Sequence, residues 1–168
     1  MRLAAPALAL ALLVAAEARA SSEAGRYRVM DEAAATAALE AALAEALAGL
    51  HPGMREVFAA ELRRSAAPYR ELRLEPAEGA LRVVLDGTAL ELPADGSARA
   101  ATGPEGRRVR VSQRREGATW VIVLTAGRAV REDRLTPTDG GIASEVRFRT
   151  PLLPRPFVYR YLLVPEAD

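Results

Sequence analysis

Histidine, cysteine and paired carboxylates carry much of protein catalysis and metal binding, and this sequence supplies few of them. Its 168 residues include one histidine and no cysteine. His51 lies in a His-Pro-Gly break between two predicted helices, where a lone histidine is more often a turn residue or a partner of a helix C-terminus than a catalyst. Without a Gly-x-Ser-x-Gly turn or further ligands, we predict no catalytic triad, metal or cofactor.

Acidic residues on the predicted strands are the remaining candidates for catalysis. A glycosidase needs two carboxyl groups facing each other across a cleft, one with a raised pKa, and Glu91, Glu132, Asp133 and Glu145 could supply such a pair. The stronger hypothesis places these acids in solvent, paired with neighbouring strand arginines: Glu145 with Arg147, and the two acids at 132–133 with the arginines that flank them. An enzyme is therefore the least favoured class.

Arginine is abundant throughout the chain. All 23 basic residues are arginine, against 22 acidic residues, so the net charge is only +1. This balance argues against a nucleic-acid partner. The densest cluster lies at 107–115, where alternation puts Arg108 and Arg110 on one face of a strand. They could contact an anionic lipid or polysaccharide, or simply pair with nearby acids.

Aromatic and aliphatic residues on the predicted strands indicate a site of a different kind. The last strand places Phe157, Tyr159, Tyr161 and Leu163 on one face. On the inner face of a curved sheet such residues either line an apolar cavity or fill a core. The residues that we expect to line a cavity are Trp120, Ile122, Leu124, Phe148, Tyr159 and Tyr161.

Residues 1–20 have the pattern of a secretory signal peptide. Arg2 precedes an apolar run at 3–16, and Ala18 and Ala20 are the small residues that signal peptidase recognises. The run is too short to span a bilayer. We expect export to the periplasm or secretion after removal of 1–20; the alternatives are an uncleaved anchor or a buried cytosolic helix.

The segment 21–69 is predicted to be helical. Alanine-rich residues 33–48 form one helix, with acids in the first turn and an apolar seam of Leu39, Leu43 and Leu47. A second, shorter helix is predicted at 54–64.

From residue 70 to residue 168 the pattern changes to alternation interrupted by glycine turns, which is typical of an antiparallel meander in the same single domain. Strand 118–125 is apolar on both faces, so we expect it to be central, with the leucine seam of the first helix covering its outer face. The fold class is α+β: one or two N-terminal helices against a curved meander, which could close in part into a barrel. The eight predicted strands are 71–75, 80–85, 88–92, 107–115, 118–125, 128–135, 142–150 and 157–164.

The end of the chain resembles a known group of proteins. Leu-Thr-Pro-Thr-Asp-Gly-Gly at 135–141, Val-Arg-Phe at 146–148, Pro-Leu-Leu-Pro-Arg-Pro at 151–156 and Tyr-Arg-Tyr at 159–161 look like the closing hairpin of exported bacterial proteins that are similar to lipocalin-like (calycin-like) meanders. The resemblance implies a fold and an export route, and it carries over no functional residue.

The leading hypothesis is thus an exported, non-enzymatic binding module for an apolar or amphipathic small molecule or lipid in the cell envelope. The alternative is an envelope interaction protein with a filled core, which docks a protein partner through its N-terminal helix or the arginine-rich strand.

Overall fold

The computed structural model describes residues 24–77 and 80–166. The predicted signal peptide lies outside these residues. Within them the chain forms ten strands and two helices. These are β1 (Gly25–Val29), α1 (Glu32–Leu47), α2 (Pro52–Ser65), β2 (Glu71–Ala77), β3 (Ala80–Leu85), β4 (Thr88–Pro93), β5 (Arg99–Thr102), β6 (Arg108–Glu116), β7 (Thr119–Ala126), β8 (Ala129–Thr138), β9 (Gly141–Arg149) and β10 (Phe157–Pro165).

Both helices begin at side chains that satisfy free backbone N–H groups. The Asp31 carboxylate accepts a hydrogen bond from Ala34 N at 2.9 Å, which caps α1. His51 caps α2 by accepting from Gly53 N at 3.4 Å, and Pro52 stands in the first turn, where its missing N–H costs nothing. His51 is therefore a turn and capping residue.

The ten strands form one antiparallel sheet that curls into a nearly closed barrel. The strand order is β4-β3-β2-β1-β10-β9-β8-β7-β6-β5, so β1 joins the first and last parts of the chain. The two edges, β4 and β5, follow each other in sequence and lie side by side without pairing. The Gln113 side chain of β6 donates to the Pro93 carbonyl of β4 at 3.0 Å across this gap.

The predicted α+β fold with a partly closed meander is confirmed, with ten strands in place of eight. The strands missed are β1, five residues within the segment predicted to be helical, and β5, four residues long. Strands this short show too little alternation to be separated from loops.

The core lies inside the barrel, where alternate residues of every long strand are buried. The α1 seam of Leu39, Leu43 and Leu47 is buried there too, and α1 packs mainly against β10. The expectation that α1 covers the outer face of β7 is therefore wrong. Val121 on that face is buried between its cross-strand neighbours Arg114 and Arg134, whose aliphatic stems can exclude water.

Candidate functional site

A cavity of about 410 Å³ lies at the end of the barrel beneath the C-terminal half of α2. Part of its wall is apolar and comes from α2 and the inner face of the sheet. Leu62 of α2 faces Val109, Leu124 and Phe148 of three strands across this space. The β5–β6 and β9–β10 connections complete the rim.

The small size of three further lining residues explains why this space is open. Ala67 follows α2, and Ala126 and Ala129 form the last register pair of β7 and β8. A methyl group at each of these positions leaves volume that larger side chains fill elsewhere in a close-packed barrel.

Arg131 of β8 also lines the cavity and forms a buried ion pair. Its Nε lies 3.0 Å from both carboxylate oxygens of Asp133, and its Nη2 lies 2.9 Å from Oδ1. The two side chains are only 7% and 2% exposed. Burial alone would lower the pKa of Arg131, but the charge and hydrogen bonds of Asp133, together with the neighbouring Tyr69 and Tyr159, outweigh it, so the pKa is raised well above its ordinary value.

The same arginine attaches the end of α2 to the barrel. Arg131 Nη1 donates to the carbonyl oxygens of Ser65 at 3.3 Å and Ala67 at 2.9 Å. The Tyr159 hydroxyl of β10 donates to the carbonyl between them, that of Ala66. A cation and a phenol thus satisfy three successive carbonyls at the negative end of the helix dipole.

Two more tyrosines complete this polar cluster. The Tyr69 hydroxyl donates to Asp133 at 3.4 Å, and the Arg131 guanidinium lies over the Tyr69 ring, 4.0 Å from its centre. Tyr161 accepts from Tyr69 N at 3.2 Å. Burial raises the pKa of Tyr69 well above its usual value and that of Tyr161 to about 12. Burial likewise raises the pKa of Tyr159, so all three phenols are protonated at neutral pH.

The rim of the cavity carries paired charges. Glu61 of α2 bonds to Arg107 and Arg64, and these hydrogen bonds, led by that of Arg107, lower the pKa of Glu61 to about 2. Glu105 lies 3.5 Å from Arg107. The rim is therefore charged, but its charges are balanced.

The six residues predicted to line a cavity all lie on the inner face of the barrel, but not all at one place. Leu124 and Phe148 line the cavity beneath α2. Trp120 lines a second cavity, of about 300 Å³, beside the β8–β9 turn at the opposite end. Ile122, Tyr159 and Tyr161 are buried between them and line neither cavity.

Arg108 and Arg110, the predicted contacts for an anion, are exposed and form no ion pair with any residue that the structure describes. Elsewhere in the same arginine-rich segment, Arg107 pairs with Glu61, and Arg114 pairs with Glu116. The expected pairing of strand acids and arginines therefore covers only part of the cluster.

The predictions for the strand acids are also confirmed only in part. Glu145 pairs with Arg147 on the outer face, as expected. The expectation that Asp133 faces solvent is wrong, because it points inward and is 1% exposed. Arg131, Asp133 and Leu135 are every second residue of β8 and so lie on the same face of the strand. The apolar Leu135 was therefore the sequence signal that Asp133 points inward.

No group of three or more histidine, aspartate or glutamate side chains converges as a metal site within residues 24–77 and 80–166. Over the same residues, no helix is long and apolar enough to cross a bilayer.

By sequence, the chain matches no protein-family model and no curated protein. By structure, it is similar to a Schistosoma mansoni fatty acid binding protein in complex with arachidonic acid (TM-score 0.54, 8% identity, 89% of this chain and 99% of that one). It is also similar to Echinococcus granulosus fatty-acid-binding protein 1 (0.51, 11%, 86% and 97%) and to a secretory abundant heat soluble protein of Ramazzottius varieornatus (0.52, 8%, 85% and 94%). At these identities the comparisons show the fold alone, and they confirm the lipocalin-like barrel implied by the resemblance.

Proposed function

We propose that this chain is a non-enzymatic binding module for an apolar or amphipathic small molecule, held in the cavity beneath α2. The observation that carries the proposal is the cavity itself. Its volume of about 410 Å³ lies in the range of small-molecule sites, and apolar walls with a few polar groups are the usual lining of such sites. That a protein of this fold is seen in complex with arachidonic acid supports the proposal.

The test fills the cavity without touching the rest of the barrel. Ala126→Phe places a ring where the cavity now lies, whereas Thr125→Phe adds the same ring on the outer face of the same strand. We expect Ala126→Phe to weaken binding of an apolar fluorophore by about tenfold or more, and Thr125→Phe by less than about twofold. Native mass spectrometry of the protein purified from its host would identify any retained molecule.

Equal binding by both variants would overturn the proposal, because the fluorophore would then bind elsewhere. A host-purified protein with no bound molecule, together with no fluorophore binding, would favour the filled-core interaction protein.

We also propose that the chain is exported and acts in the periplasm or outside the cell. The support is the charged start, apolar run and small residues of the segment 1–20. The intact mass of the protein recovered from its host should correspond to a chain that begins at Ser21. A full-length chain starting at Met1 in the cytosolic fraction would overturn this part.

A second candidate function is contact with an anionic surface or partner in the envelope through Arg108 and Arg110. Their lack of acidic partners among the described residues favours it. The double variant Arg108→Glu and Arg110→Glu should lose co-sedimentation with vesicles that contain anionic lipid. The matched control reverses the charge at Arg26 and Arg28, which are exposed on β1, by the same substitution to glutamate. This control should still co-sediment with the vesicles. Equal losses would mean that net charge alone, rather than this strand, drives the contact.

A further inference from the structure

The charges around the cavity restrict what it can hold, if it is the binding site proposed above. Three arginines line it: Arg64 and Arg107 at the rim, and Arg131 at the buried end. A ligand with a carboxylate would need one of these cations to be free, since an unpaired charge is costly to bury.

The rim arginines are already engaged. Arg64 and Arg107 both bond to Glu61, and Arg107 also pairs with Glu105. The remaining acidic residue of the lining, Asp86, accepts from the backbone N–H groups of residues 70 and 71 at 2.8 and 2.9 Å. The rim therefore carries no cation in excess of its acids.

At the buried end, Arg131 is neutralised by Asp133 through three contacts of 2.9–3.0 Å. Its Nη1 donates to two carbonyls at the end of α2. Of the five N–H groups of a guanidinium, one on Nη2 has no acceptor among the residues that the structure describes. Arg131, which lines the cavity, thus retains a single free hydrogen-bond donor, and its charge is cancelled by Asp133.

A carboxylate at this donor would lie beside the carboxylate of Asp133, which is itself buried. Two like charges so placed repel each other strongly. The other two cations of the lining, Arg64 and Arg107, are already paired with acids of the rim and do not offset this repulsion. A hydroxyl or carbonyl oxygen can accept the same hydrogen bond without that repulsion. We propose that the cavity selects uncharged amphipathic ligands, such as long-chain alcohols or esters, over free fatty acids.

The test compares two ligands that differ only at one end. Dodecan-1-ol and dodecanoate, each below its aggregation limit at pH 8, compete with an apolar fluorophore for the intact mature chain. We expect the alcohol to bind at least about tenfold more tightly than the acid. Asp133→Asn keeps the shape of the side chain and leaves the charge of Arg131 without a counter-ion. It should therefore improve dodecanoate binding by about tenfold or more, while the affinity for the alcohol stays within about threefold of that of the unmodified protein.

Glu145→Gln is the matched control, because it removes a carboxylate that is paired with arginine on the outer face of the barrel. It should change the affinity for neither ligand. Dodecanoate binding as tight as that of the alcohol in the unmodified protein would overturn the inference while leaving the proposed binding function standing. Failure of both ligands and of the fluorophore to bind would overturn both. The comparison in the unmodified protein decides the inference even if Asp133→Asn does not fold.

Discussion

Replacement of Arg131 by methionine tests the role of the buried ion pair in the fold. Methionine matches the aliphatic stem of arginine and carries no charge, so the variant removes the guanidinium while keeping the packing of the stem. Asp133 would then be left as a buried carboxylate without its cation, and the Ser65 and Ala67 carbonyls would lose their donor.

The expected loss of stability is large. Breaking a buried ion pair by removing one partner costs about 3–5 kcal/mol, because the remaining charge stays buried. The two freed carbonyls lie at a helix end and add to this cost only if water does not reach them. With about 2–4 °C per kcal/mol for a domain of this size, we expect the melting temperature to fall by roughly 10 °C.

The second variant separates charge from packing. Arg131→Met combined with Asp133→Leu removes both charges, and replacing a whole buried pair with apolar residues is often neutral or stabilising. The double variant should therefore recover about 2 kcal/mol or more of what the single variant loses. Urea unfolding, followed by the fluorescence of Trp120, the only tryptophan, measures the free energy of unfolding of both variants. A loss below about 1 kcal/mol in the single variant, or no recovery in the double, would refute the role assigned to the pair.

Three further predictions concern the barrel and its rim. Tyr159→Phe removes the donor to the Ala66 carbonyl and should cost about 1–2 kcal/mol in urea unfolding; an unchanged midpoint would show that the carbonyl finds another donor. Gly141→Ala should destabilise the fold by more than about 1 kcal/mol, because φ is 150° and a Cβ there would overlap a backbone carbonyl of β10; a fully stable variant would contradict this geometry. Glu61→Gln removes a carboxylate whose pKa is lowered from 4.5 to about 2, mainly by Arg107. The stability advantage of the unmodified protein should thus be present above pH 4.5 and disappear as the pH falls toward 2; a constant difference across this range would contradict the pairing.

Local patterns were enough to predict most of the fold. The alanine-rich run after Asp31 has a cap, acids in its first turn and strong helix formers, and these agree with one another. The strand at 142–149 alternates cleanly between apolar and charged residues, which assigns its two faces without knowledge of its neighbours. Glycine turns at regular spacing then imply hairpins between successive strands.

Features that depend on distant residues could not be read in this way. The pairing of β1 with β10 joins segments more than 130 residues apart, and closure of the barrel depends on the register of all strands. The predicted packing partner of α1 was wrong for a related reason. Its leucine seam shows that the helix packs against the sheet, but not against which strand. The cavity could not be predicted either, since it depends on three small residues from separate elements, Ala67, Ala126 and Ala129, that line it together.

The buried pair links the proposed ligand preference to the attachment of α2. Arg131 touches the cavity, neutralises Asp133 and bonds the last carbonyls of α2 through one guanidinium. An anionic ligand that drew Arg131 away from Asp133 would also weaken the bonds that attach the helix, because the planar guanidinium moves as a unit. A neutral ligand can use the remaining N–H and leave these bonds in place. In the proposed function, therefore, the arrangement that discriminates against charge is the same one that keeps the cavity covered.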